Sequence, residues 1–186
     1  MLKRTSNLLH RVTNGWVALA ALATFLAFTA FVLPRQAAKA ETQTGTSASP
    51  DTSYIYSPDD LYQMAETYGE KGRQAYVRAR FTFDLIFPII YTFFLVTATS
   101  WLAGKTLNAS SPWMRVNLIP VLGMIFDYLE NTFASLVMWR YPTKTLAAFL
   151  TPAFTFLKWI FIIGSFLLLI IGIIGWLWQW GKGKRR

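Results

Sequence analysis

The chain has 186 residues, of which 54% are hydrophobic and only 15% charged. A soluble domain carries about a quarter charged residues, so a polytopic membrane protein forming one bundle is expected, not a set of soluble domains. The formal charge of +9 would suit nucleic acid in a soluble protein, but the basic residues flank apolar runs. There, headgroups and insertion topology account for them, and no nucleic-acid partner is expected.

Residues 1–15 form a basic arm with Lys3, Arg4 and Arg11 and no acid. Trp16 to Leu33 is uncharged and close to the roughly 20 residues that span a bilayer. Ala38-Lys39-Ala40 offers a signal-peptidase-like cut, but the apolar run exceeds a usual signal core and Arg35 and Lys39 sit before the cut. An uncleaved first transmembrane helix is the preferred reading. Residues 34–57 are small and polar and read as a flexible outer linker. Ser57-Pro58-Asp59-Asp60 then starts a helix, with a Ser cap, Pro in the first turn and acids at the positive dipole end. This amphipathic helix, about 58–70, carries Leu61, Met64, Ala65 and Tyr68 on one side and suits the membrane surface or the bundle. Gly69 and Gly72 predict a break after it.

From Arg73, polar residues keep helical register into the second span. Arg73, Tyr76, Arg80, Asp84, Pro88 and Tyr91 follow one another at three- and four-residue steps. The span reaches about Leu102, and a short turn between Trp101 and Trp113 follows. Asn108-Ala109-Ser110 has the form of a glycosylation site, but it falls on the cytoplasmic side and reads as chance. The third span is Val116 to Trp139. The fourth apolar stretch, Leu146 to Trp178, is longer than one crossing. It reads as an interfacial or re-entrant lead-in bent near Pro152, then a crossing from about Phe156, then the basic tail Lys182, Lys184, Arg185 and Arg186. The fold class expected is all-α: a four-transmembrane-helix bundle, residues 58–186 forming an outer interfacial helix and three further spans behind the first. The terminal basic clusters put both termini in the cytoplasm and the protein in a bacterial inner membrane as a multi-pass chain.

Asp127, Glu130 and Asn131 share one helical face inside the apolar third span. Carboxylates at membrane depth are costly unless they face a bundle interior, a cavity or a partner. In this topology Asp127 is near mid-membrane, with Asp84, Glu130, Asn131 and Lys158 in the outer half. These five define a candidate polar pocket, with Arg73, Tyr76, Arg80 and Tyr91 at its mouth. The plainer alternative is a satisfied buried network, with Asp127 or Glu130 paired to Lys158 and Asp84 to Arg80. Three carboxylates against one certain cation leaves a surplus, which must borrow an arginine, bind a cation or stay protonated. The chain has no cysteine, and its lone His10 lies in the basic arm. No disulfide, thiolate site, iron–sulfur cluster, bis-His haem or His-ligated zinc is expected, and no metal or cofactor is assigned.

The leading function is binding of a lipid or other amphiphile, or an accessory role with a protein partner or in a homo-oligomer. The first alternative is an intramembrane enzyme acting on a lipid-linked or isoprenoid substrate, with Asp127 and Glu130 as catalytic acid and base. A small proton-coupled transporter is the second alternative, disfavoured by four spans without an internal repeat.

The set YGEKGRQAYVRARFTFD, Pro88 and Tyr91, then DYLEN, then Lys158-Trp159 resembles small bacterial four-span membrane proteins of unassigned function, over about residues 57–160. The resemblance implies that these positions form a unit. It implies no activity.

Overall fold

A computed structural model describes residues 2–183, so Lys184, Arg185 and Arg186 of the basic tail lie outside the described residues. The fold is all-α, 86% helical and with no strand among the described residues. The helices are α1 (Leu2–Val12), α2 (Gly15–Ala27), α3 (Leu33–Thr44), α4 (Pro58–Arg80), α5 (Phe83–Thr106), α6 (Ile119–Arg140) and α7 (Ala147–Gly183). Among the described residues, four stretches are long and apolar enough to cross a membrane: Gly15–Thr44, Pro58–Thr106, Pro112–Arg140 and Ala147–Lys182. The chain is an integral membrane protein by that measure.

Several boundaries differ from the sequence reading. Helix persists through Leu33–Thr44, where linker is expected from residue 34. Pro34 follows directly on a π-helical turn, Phe28–Val32, inside the continuous helical run Gly15–Thr44, and Ala37, Ala38, Ala40 and Glu41 are good helix formers. The linker proper begins at Gly45, whose φ of 76° ends α3 in the left-handed region. Helical register does not run unbroken from Arg73 into the second span: it stops at Phe81-Thr82, where the Thr82 hydroxyl donates to the Arg78 carbonyl at 2.7 Å. Pro152 produces no break in α7. It falls in the second turn, where its missing N–H costs the Ala148 carbonyl its helical donor without interrupting the helix.

Two compact units make up the chain. One comprises Ala27–Ile89 and Met124–Ile160. Its start signal is the one read from sequence: Ser57 and Asp60 form a reciprocal capping box, Ser57 N donating to Asp60 Oδ2 at 2.7 Å. Leu61, Ala65 and Tyr68 of α4 are buried against Ala134, Val137 and Met138 of α6 and Ala147 and Ala148 of α7. The apolar stripe of α4 is thus covered by protein. Gly69 kinks α4 with φ 60° and ψ 179°, a backbone open in practice to glycine alone. At Gly72 a Cβ would come within 3.1 Å of the Gln43 carbonyl oxygen and 3.2 Å of Thr44 Cα, so the close approach of α3 and α4 depends on a missing side chain.

The other unit comprises Met1–Leu26, Ile90–Gly123 and Phe161–Arg186. The basic arm is the helix α1, tied down by a buried polar cluster. Ser6 Oγ donates to Asn117 Oδ1 at 2.9 Å, and Asn117 Nδ2 donates to Ser100 Oγ at 2.9 Å. The His10 ring nitrogens lie 3.0 and 2.8 Å from the carbonyl oxygens of Ser100 and Met114. Stacked Phe25 and Phe94, 5.0 Å between centroids, and the Trp101–Trp176 pair at 5.4 Å fill the apolar layer. Tyr91 is buried in this unit.

Candidate functional site: a buried ionic centre

The centre lies in the first unit and draws on four parts of the chain. Breaking α4 from α5 at Phe81-Thr82 leaves Arg80 in the last turn of one helix and Asp84 in the first turn of the next, the dipole-favoured end for each charge. Their side chains meet at 2.7 Å. On α6 the three- and four-residue spacing carries Asp127, Glu130 and Asn131 onto one buried face. Asn131 Nδ2 donates to Asp127 Oδ1 at 3.2 Å, and its Oδ1 accepts from Arg80 at 3.4 Å. From α7 comes Lys158, whose Nζ is 2.5 Å from Glu130 Oε2. The side chains of Lys158 and Glu130 are only 4% and 1% exposed.

The fourth contributor is Asp51, in the short turn Pro50–Thr52 of the linker. Its two oxygens bridge the two cations: Oδ2 pairs with Arg80 Nη1, and Oδ1 accepts from Lys158 Nζ at 2.9 Å. Burial alone would raise the Asp51 carboxyl, but Arg80 and Lys158 outweigh it and hold it well below the usual carboxylate range. Nothing in the sequence marks Asp51. A single acid among Ser, Thr and Pro has no periodicity and reads as solvated.

Aromatic groups line the centre. The Arg80 guanidinium lies 4.3 Å from the Tyr76 ring centroid, and Lys158 Nζ 5.5 Å from the Trp159 ring. Tyr56 shares a 2.8 Å hydrogen bond with Thr155, and burial lifts its hydroxyl above its ordinary range, so it remains a donor. Thr151, Thr155 and Ser165 each donate to the carbonyl four residues back in α7 instead of reaching across helices. Tyr76 OH, Arg80 Nε and Glu130 Oε1 are buried without a hydrogen-bond partner among the described residues.

Asp84, Asp127, Glu130, Asn131 and Lys158 are therefore brought together, with Arg80 and Tyr76 among them. Arg73 is engaged elsewhere: Nη1 donates to the Ala65 carbonyl at 2.9 Å beside the Gly69 kink, and its guanidinium lies 4.6 Å from the Tyr141 ring centroid. Tyr91 belongs to the other unit. Borrowing an interfacial arginine does occur, but Asp51 arrives with it. Among the described residues, the four carboxylates gathered here carry two more negative charges than Arg80 and Lys158 offset. Retaining both in a low-dielectric site requires a further positive charge, a proton or a cation. Asp51, Asp127 and Glu130 bring one oxygen each within 4.8 Å of one another and are the residues that could hold a metal ion. Arg80 and Lys158 stand against the same oxygens of Asp51 and compete with it.

No family model, no curated protein and no solved structure matches the chain.

Proposed function

We propose that this integral membrane protein binds the charged headgroup of an amphiphile, a membrane lipid first of all, at the ionic centre. The orientation that suits this reading places the centre in the outer half of a bacterial inner membrane, with both termini cytoplasmic. The observation that carries it is the meeting of Arg80 and Lys158, cations from two different helices, at one buried point among hydroxyl, amide and aromatic groups. Such a point offers charge-assisted hydrogen bonds to an anionic group. Neighbouring residues of the same helices, Leu85, Ile86 and Ile89 on α5 and Phe156 and Ile160 on α7, expose apolar side chains on which acyl chains can lie.

A second reading, an intramembrane enzyme using Asp127 and Glu130, is favoured by one feature. Glu130 Oε1 is fully buried without a hydrogen-bond partner among the described residues, an arrangement found where an acid is held ready for proton transfer. The ion pair of Glu130 Oε2 with Lys158 weighs against it.

The test is purification from native membranes followed by mass spectrometry of retained lipids and co-purifying proteins. A retained anionic amphiphile that is lost in Arg80→Gln supports the binding reading. A stoichiometric protein partner without lipid replaces it with an accessory role.

A further inference from the structure

We propose that the Asp51 carboxylate is a tethered stand-in for the phosphodiester of a lipid headgroup, and that the linker carrying it is displaced when the headgroup binds. This inference rests on the amphiphile-binding reading and assigns the ligand chemistry and its regulation. Asp51 differs from every other member of the centre. Arg80, Asp84, Asp127, Glu130, Asn131 and Lys158 are fixed on helices, whereas Asp51 comes from the linker between Gly45 and Ser57. Its side chain is also the most open to the surroundings, at 29% against 16% for Asp84, 10% for Arg80 and 4% for Lys158. It is the last group in and the first that can leave.

Its geometry is that of a two-oxygen anion between two cations. One oxygen faces Arg80 and the other Lys158. The two non-bridging oxygens of a phosphodiester present the same pair of acceptors and the same single negative charge. Exchange is thus charge for charge and leaves the balance of the centre unchanged. Departure of Asp51 also orphans neither cation, because Arg80 retains Asp84 and Lys158 retains Glu130. Losing Glu130 or Asp84 in its place would dismantle a helix-to-helix or helix-end contact.

The linker is lightly held. Besides Asp51 itself, its anchors are Pro50, Tyr68 OH donating to the Ala48 carbonyl at 2.6 Å, the Tyr56–Thr155 hydrogen bond, a long 3.5 Å hydrogen bond from Arg80 to Ser49 Oγ, and the Tyr54 ring 4.9 Å from that of Trp159. Most of its other side chains are exposed or half-buried. Segments with few buried contacts are those that open at low cost. Gly45, with its positive φ, supplies a pivot at one end.

The experiment uses the full chain in detergent micelles doped with phosphatidylglycerol, with diacylglycerol as the phosphate-free control and inorganic phosphate as the chain-free one. Binding is read by native mass spectrometry, and linker exposure by limited proteolysis between residues 45 and 57. With the linker docked about nine-tenths of the time, Asp51→Asn tightens phosphatidylglycerol binding about tenfold, and in wild type phosphatidylglycerol speeds linker cleavage where diacylglycerol does not. Inorganic phosphate producing the same exposure retains the phosphate chemistry and makes free phosphate the source. The inference is overturned if Asp51→Asn binds phosphatidylglycerol no more tightly while wild type still binds it. It is overturned equally if calcium, not the lipid, changes linker cleavage, which would make Asp51, Asp127 and Glu130 a cation site. Diacylglycerol binding as well as phosphatidylglycerol in both proteins, or neither lipid binding at all, sinks the parent reading instead.

Discussion

Replacing Lys158 by Met tests the centre most directly. Lys158 Nζ sits 2.5 Å from Glu130 and 2.9 Å from Asp51. At an effective dielectric of about 20, the closer pair attracts by about 6–7 kcal/mol. Desolvating the two ions costs several kcal/mol each, so the net worth of the intact pair is small. Removing one partner is a different matter, because the cost of burying Glu130 remains while the attraction is gone. Loss of about 3–5 kcal/mol is expected for Lys158→Met. The double variant Lys158→Met/Glu130→Gln removes the orphaned charge and recovers more than half of that loss. The assay is reversible unfolding in mixed micelles, by denaturing detergent titration, for wild type, both single variants and the double. A Lys158→Met protein as stable as wild type, or a double variant no better than the single, would show that the two groups are not buried together and would refute the reasoning.

Three further outcomes follow from the same structure. Gly72→Val puts side-chain carbon against the Gln43 carbonyl and Thr44 backbone, neither of which can rotate away, and lowers stability by about 1–3 kcal/mol in the same titration. Asn117→Leu leaves Ser6 Oγ and Ser100 Oγ without their buried partner. It costs about 1–3 kcal/mol and exposes α1 to added protease, while cleavage of the residue 45–57 linker is unchanged. Because the Asp51 carboxyl is held below its ordinary range, its contribution to linker docking is complete above that range and disappears only as pH falls through the depressed value. A difference in linker protection between wild type and Asp51→Asn therefore persists at about pH 5; a difference that vanishes by pH 5 contradicts the pairing.

Much of the centre is legible in the sequence because it lies on regular helices. Asp127, Glu130 and Asn131 announce a common face by spacing alone, and their cost in an apolar span says that the face meets charge. Lys158 is the only cation within the last apolar stretch, so its pairing follows from elimination. Tertiary contacts decide the remainder. Asp51 reaches the centre through a chain reversal between α3 and α4, and no local pattern distinguishes it from a solvated aspartate. Arg73 keeps perfect spacing with Arg80, yet a kink at Gly69 and a carbonyl at Ala65 claim it first. The same limit applies to Leu33–Thr44. Its polar surface resembles linker, and the close fit of Gly72 against Gln43 and Thr44 adds to its alanines the tertiary contact that the sequence does not display.

The continuous run of α7 has a consequence for the lipid around it. Thirty-seven residues make a rod of about 55 Å, against about 33 Å for the 22 residues of α6. A hydrocarbon layer is about 30 Å thick. One face of the first turns is covered by protein through Ala147, Ala148, Thr151 and Thr155, but Phe149, Leu150 and Phe156 on the other face are exposed. No single thickness matches both rods, so the surrounding acyl chains must stretch beside one or α7 must incline. Thicker, ordered bilayers relieve the mismatch at α7 but create one at α6, and thin ones do the reverse. The unequal lengths of α6 and α7 are thus a second route, beside the proposed headgroup site, by which bilayer thickness would act on this chain.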